Sequence, residues 1–285
     1  MPWYSLSDAD GQSTYRYLRI AMPLLVILLG ASIAWQIFEP APDCWLGSIS
    51  AYYYTSARAV FVACLCAIGA CLVIYRGHTA VEDLALNISG LLAFGVAFVP
   101  TPLTDLQIKP TDAVCRRSNV PTESQLATAI DNNVFALLVA LSAILLVALF
   151  LRPWKGGKPG LDLTGDILLL GFALLLGWYL YVADRALIRD YAHLVSSVTM
   201  FAGIFFVVLM NVLRIQHASK PDRTGVQIAC LRWYWLVLAL MAASVAVLSI
   251  AAWTGSFDHA VFWLEASLIA LFGMFWVVQT KELWA

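Results

Sequence analysis

The sequence predicts an all-α fold, a polytopic transmembrane helical bundle of eight spans with both termini in the cytoplasm. Three observations lead there. Apolar runs of membrane length fill most of the 285 residues and leave no room for a separate soluble domain. Hydrophobic side chains make up 61% of the chain and charged ones only 12%, about half the charge of an ordinary soluble domain. The Lys and Arg residues fall mostly between the runs. Hydrocarbon forces each backbone N–H and C=O to be satisfied within its own segment, so apolar runs of about 20 residues are read as helices about 30 Å long.

In chain order the spans are expected at about 18–38, 58–75, 84–100, 133–151, 167–182, 191–213, 233–252 and 260–278. The third is the shortest; its apolar stretch from Asn87 to Phe98 needs its flanks to complete a crossing. Eight spans put both termini on one side. Of the 17 Lys and Arg, 11 fall on that side and 6 opposite, which assigns it to the cytoplasm. Trp154, Trp233, Trp235 and Trp253 stand where spans meet the headgroups, as interfacial anchors do. The first run, with Arg16 and Arg19 before it and small residues at 31–34, also admits a signal-peptide reading. Its apolar length favours a span.

The formal net charge is −1, and no basic run of the kind that binds nucleic acid or gathers anionic lipid is present. Basic residues are scattered at helix ends. The segment RPWKGGKPGLDLTGD lacks a preceding strand and P-loop spacing, so it reads as a cytoplasmic turn and not a phosphate cradle. No cofactor is expected. The four histidines, His78, His193, His217 and His259, form no HxxxH or HExxH pattern, and no metal site is expected. Neither a nucleophile elbow nor a Ser–Lys arrangement appears.

Two outer loops, at about 39–57 and 101–132, carry one cysteine each. In an oxidising compartment Cys44 and Cys115 are expected to pair; the alternative is two free thiols. Cys64, Cys66, Cys71 and Cys230 lie in or at the edge of helices, where cysteine packs as a small apolar residue.

Ionisable residues at membrane depth carry the functional signal. Glu265 lies about one and a half turns into the last span, and an intramembrane carboxylate is costly enough that it should face the bundle interior with a partner or a proton. The alternative is a hydrogen bond that locks helices. In the sixth span Asp190, His193 and Ser197 follow at i, i+3 and i+7 on one stripe, flanked by Ser196. Asp190 is expected to set the His193 tautomer and leave the second ring nitrogen for a proton, a phosphate oxygen or Glu265. The alternative is an interfacial ion cluster with Asp184, Arg185 and Arg189. Arg58, Asp131 with Asn132 and Asn133, Asp190 with His193, and Glu265 all mark outer helix ends, a polar ring suited to a headgroup or a vestibule. Polar helix ends in any membrane protein give the plainer account. Glu82 and Asp83 suit the positive end of the third helix dipole.

The blocks GSISAYYYTSARAVFVACLCAIGACLVIYRG, LNISGLLAFGVAFVPT, DYAHLVSSVTMF and FWLEASLIALFGMFWVVQTK cover about a third of the chain. Together they resemble a family of bacterial multi-span membrane proteins of DUF998 type, with a distant similarity to the Frag1/DRAM/Sfk1 group. The resemblance rests on Ser48, Ser50, Tyr52, Tyr53 and Arg58, on Asn87 and Gly90, on His193 with Ser196 or Ser197, and on Glu265, Phe272, Gly273, Trp276 and Lys281. The chain departs at Ala59, where the pattern has an acidic residue, so the resemblance implies no Arg–carboxylate pair at that point. The resemblance implies a lipid-related role and no particular reaction.

The expectation is therefore a non-enzymatic protein of the bacterial inner membrane whose partners are lipids and not nucleic acid. It binds or moves a lipid or other amphiphile through the outer polar ring. Arg58 would contact phosphate, Tyr52 and Tyr53 would line the entrance, and His193 with Glu265 would share a proton. The alternatives are a proton-coupled transporter or channel, and a membrane-embedded lipid hydrolase or transferase.

Overall fold

The computed structural model describes residues 8–39, 45–102, 121–150, 161–217 and 225–284, with side chains from Thr14 in the first stretch and from Ile167 in the fourth. Every regular element among them is helical: α1 (Asp8–Phe38), α2 (Arg58–Ile74), α3 (Ala80–Phe98), α4 (Glu123–Phe150), α5 (Leu161–Ala183), α6 (Arg185–His217), α7 (Gly225–Thr254) and α8 (Ala260–Glu282). A 3₁₀ turn, Ser50–Tyr54, precedes α2.

Six of these helices, α1, α3, α4, α6, α7 and α8, are long and apolar enough to cross a membrane. The apolar stretch of α2 is 17 residues, about 25 Å at 1.5 Å per residue, and the apolar part of α5 is Ile167–Ala183. The outer surface is apolar: Leu146, Leu175, Val182 and Val198 all point outward. An outward apolar face over several helices matches a hydrocarbon solvent, which charges no penalty for it.

Several helices run further than their apolar cores. The fourth begins at Glu123 and not near 133, the sixth at Arg185 and not near 191, the seventh at Gly225 and not near 233, and the eighth ends at Glu282. Helix ends are set by capping, whereas hydropathy marks only the hydrocarbon-facing part. Before α4, Thr122 Oγ1 accepts from the Gln125 N–H at 3.3 Å while Gln125 Oε1 accepts from the Thr122 N–H at 3.0 Å, a reciprocal capping box. Before α3, Thr79 Oγ1 accepts from the Glu82 N–H at 3.2 Å. Asp184 alone separates α5 from α6, and its carboxylate accepts from the Leu187 N–H at 3.1 Å.

Helices α1, α2, α3, α6, α7 and α8 share one core, in which Trp276, Tyr52, Tyr53, Tyr234 and Phe275 are buried. The α2–α3 crossing is backbone against backbone: a Cβ on Gly69 would lie 2.7 Å from the Gly90 carbonyl oxygen, and a Cβ on Gly90 2.7 Å from that of Gly69. Small residues permit this approach, which dispersion rewards where no hydrophobic driving force separates helix from lipid. The α4–α5 pair stands outside this core. Its contact with the rest includes a small cluster of Val99, Leu126 and Ile130 and an ion pair from Asp131 to Arg189.

Candidate functional site

The segment before α2 folds over the start of α8. The Phe262 N–H donates to the Gly47 carbonyl at 2.9 Å, and Trp45 packs edge-on against Phe262 with ring centroids 5.4 Å apart. His259, in the left-handed region at φ 59°, turns the chain into α8. This arrangement sets the 3₁₀ turn against Glu265, whose carboxylate accepts from the Ser50 N–H at 2.9 Å and from the Ser50 hydroxyl at 3.1 Å. The first N–H groups of a helical turn have no partner within it, so Glu265 caps the turn from another helix. The Ala51 N–H is met locally by the Ser48 hydroxyl at 3.1 Å.

Glu265 and Ser50 also face a cavity of about 730 Å³. Its walls come from α1, α2, α3, α6, α7 and α8, and its polar lining is Glu265, Ser50, Ser197 and Ser249. The remainder is apolar. Leu194, Val198 and Val245 line it and are also exposed on the outside of the bundle, so the cavity opens sideways between α6 and α7. It holds the dimensions of a ligand pocket with a few convergent polar groups in an apolar wall.

Other residues singled out in the sequence fall elsewhere. His193 is buried, and its Nδ1 donates to the Val99 carbonyl at 2.7 Å. That carbonyl, and not Asp190, holds the tautomer; Asp190 is exposed, because the stripe rotates outward within one turn. Glu265 is hydrogen-bonded to Ser50, its other backbone neighbour is Ile49, and the expected pairing with His193 is not formed. Ser197 does line the cavity. Tyr52 and Tyr53 line no entrance: both are buried in the core, the Tyr52 hydroxyl accepting from the Leu46 N–H at 3.2 Å. Arg58 donates to the Tyr53 hydroxyl at 2.7 Å and lies 4.4 Å from that ring's centroid. Arg185 and Arg189 converge on Asp131, at 3.3 and 2.6 Å, which is the ion cluster weighed for this region with a different carboxylate at its centre. Cys44, Cys115 and Trp154 lie outside the described residues. The thiols of Cys64, Cys66, Cys71 and Cys230 are free.

At the opposite end of the bundle lies a buried polar chain that sequence reasoning missed. Glu82 accepts from the His78 N–H at 2.8 Å and from Asn211 Nδ2 at 2.7 Å. Arg214 donates to Asn211 Oδ1 at 3.2 Å and to Glu282 at 2.7 Å, and the other Glu282 oxygen accepts from the Tyr234 hydroxyl at 2.7 Å. The chain joins α3, α6, α8 and α7. Its one sequence signal is the i, i+3 spacing of Asn211 and Arg214 near the end of an apolar run.

Among the described residues no group of three His, Cys, Asp or Glu side chains is arranged to hold a metal ion. No protein-family model, curated protein or solved structure matches the chain.

Proposed function

We propose that the chain is an integral protein of the bacterial inner membrane, crossing it eight times with both termini in the cytoplasm, and that it binds or moves a lipid or other amphiphile. The observation that carries this reading is the pairing of a sideways-opening apolar cavity with the Glu265 carboxylate and the Ser50, Ser197 and Ser249 hydroxyls. An acyl chain entering between α6 and α7 would meet apolar walls throughout. A head bearing hydroxyl or ammonium donors would meet an acceptor held in place by two hydrogen bonds from Ser50. The polar group of the outer leaflet half is thereby narrowed to these four residues, with Arg58 and His193 supporting the surrounding helices. The likeness to DUF998-type proteins and to the Frag1/DRAM/Sfk1 group agrees with a lipid-related role.

The test is native mass spectrometry of protein purified in native-lipid nanodiscs. Wild type should retain one lipid class through delipidation, and Ala246→Trp, which fills the cavity wall, should lose it while still giving a cooperative melt. Equal retention by the two proteins would refute the reading.

A further inference from the structure

We propose that a second site, for a phosphate-bearing anion, lies at the end of the bundle opposite Glu265, in a cavity of about 340 Å³ lined by Tyr15, Arg16, Arg19, Tyr75, Arg76 and His78. These residues come from two stretches some sixty positions apart, the start of α1 and the α2–α3 connection. Edge-on packing of Tyr15 against Tyr75, with ring centroids 6.0 Å apart, brings the stretches together. Basic residues that look scattered along the chain are thereby gathered around one space.

The cations there lack enough negative charge. Arg19 is only 6% exposed; its Nη2 donates to the Leu283 carbonyl at 3.2 Å, and its Nε is buried without a partner. Arg16 lies over the Trp284 ring, 5.6 Å from the centroid. Neither has a carboxylate partner among the described residues. Of the carboxylates nearby, Asp83 pairs with Arg76 of the site itself at 3.4 Å and accepts from the Gly77 N–H, Glu82 is held by His78 and Asn211, and Glu282 by Arg214 and Tyr234, so none is spent on Arg16 or Arg19. A buried guanidinium without a counter-ion is costly to keep, so the arrangement favours an anion supplied from outside.

The donor set suits phosphate oxygens. Guanidinium groups offer several N–H donors in a planar fork that matches an oxyanion, and the Tyr15 and Tyr75 phenols can complete the shell. Exposed Tyr17 and Trp284 beside the cavity are of the residue types enriched where membrane proteins meet lipid headgroups, so a phospholipid head and a soluble phosphate ester can both be offered to it. The shared chemistry is the phosphate oxyanion. This site stands independently of the Glu265 cavity.

Two probes separate the sources. The full chain in phosphatidylcholine nanodiscs is titrated with glycerol 3-phosphate by calorimetry, and nanodiscs doped with phosphatidic acid are examined by native mass spectrometry. Binding of either probe, weakened at least tenfold in Arg16→Gln/Arg76→Gln, upholds the site; glycerol 3-phosphate alone assigns it to a soluble ester, and phosphatidic acid alone to a lipid head. Arg19→Lys, which keeps the buried charge, should melt near wild type and weaken the same probe. Failure of both probes to bind wild type, or equal affinity in the double variant with a wild-type melt, overturns the proposal.

Discussion

Glu265 and Ser50, 215 positions apart, are joined by two hydrogen bonds that make a carboxylate inside α8 the cap of the 3₁₀ turn before α2. A capping role and a ligand-binding role separate by substitution. Glu265→Gln keeps an oxygen for the Ser50 N–H and an N–H for its hydroxyl, so stability in detergent should change by less than about 1 kcal/mol. Glu265→Ala leaves the Ser50 N–H without an acceptor and should cost about 1–3 kcal/mol. Thermal unfolding by circular dichroism compares them; no loss in the alanine variant would sink the capping role.

The Gly69–Gly90 crossing predicts intolerance of any side chain there. Gly90→Val places its Cβ against the Gly69 carbonyl and the Val73 side chain, and overpacking of this kind costs about 1–3 kcal/mol. Gly30→Ala, whose new Cβ meets nothing within 4 Å, is the control and should melt at or above wild type. A shared drop in melting temperature would argue against close α2–α3 packing.

The Arg214–Glu282–Tyr234 group should behave as one unit. Arg214 is 24% exposed, so Glu282→Ala should fall at the low end for a broken buried pair, about 3 kcal/mol. Tyr234→Phe alone should cost about 1 kcal/mol. Once Glu282 is gone the hydroxyl has lost its acceptor, so adding Tyr234→Phe should cost little more, and a double-mutant cycle in denaturant would expose additivity if the contact were not made.

Asp131 ties α4 to the start of α6 through Arg189 and Arg185. These groups are partly exposed, so Asp131→Asn should cost only about 1 kcal/mol overall. Its effect should be local. Hydrogen exchange should quicken in 123–150 with little change in α2, α3 and α8; uniform quickening would mean that α4 and α5 belong to the central core.

How far the sequence could be read depends on the range of the interaction involved. The presence of a helix at each of the eight apolar runs is legible, because 20 apolar residues in a row leave few other ways to satisfy a backbone. The start of α4 is also legible in hindsight, in the Thr122 to Gln125 spacing, although its polar first turn hides it from hydropathy. Glu265 is visible as a costly carboxylate, but nothing local points to Ser50 as its partner. The inward turn of His193 toward Val99 and the outward turn of Asp190 depend on how α6 is rotated against α3, which a stripe of polar residues does not specify.

By itself the sequence determined an all-helical, apolar chain with a helix at each of eight apolar runs, since those properties follow from composition and from hydrogen bonds closed within a few residues; six of those helices are long and apolar enough to cross a membrane among the described residues. Tertiary structure alone decided that α4 and α5 stand apart from the core, that an apolar cavity ends on Glu265, and that Arg16 and Arg19 meet Arg76 and His78 around one space. Those outcomes rest on contacts between side chains far apart in the chain, where helix rotation and close approach at residues such as Gly69 and Gly90 choose which polar groups meet.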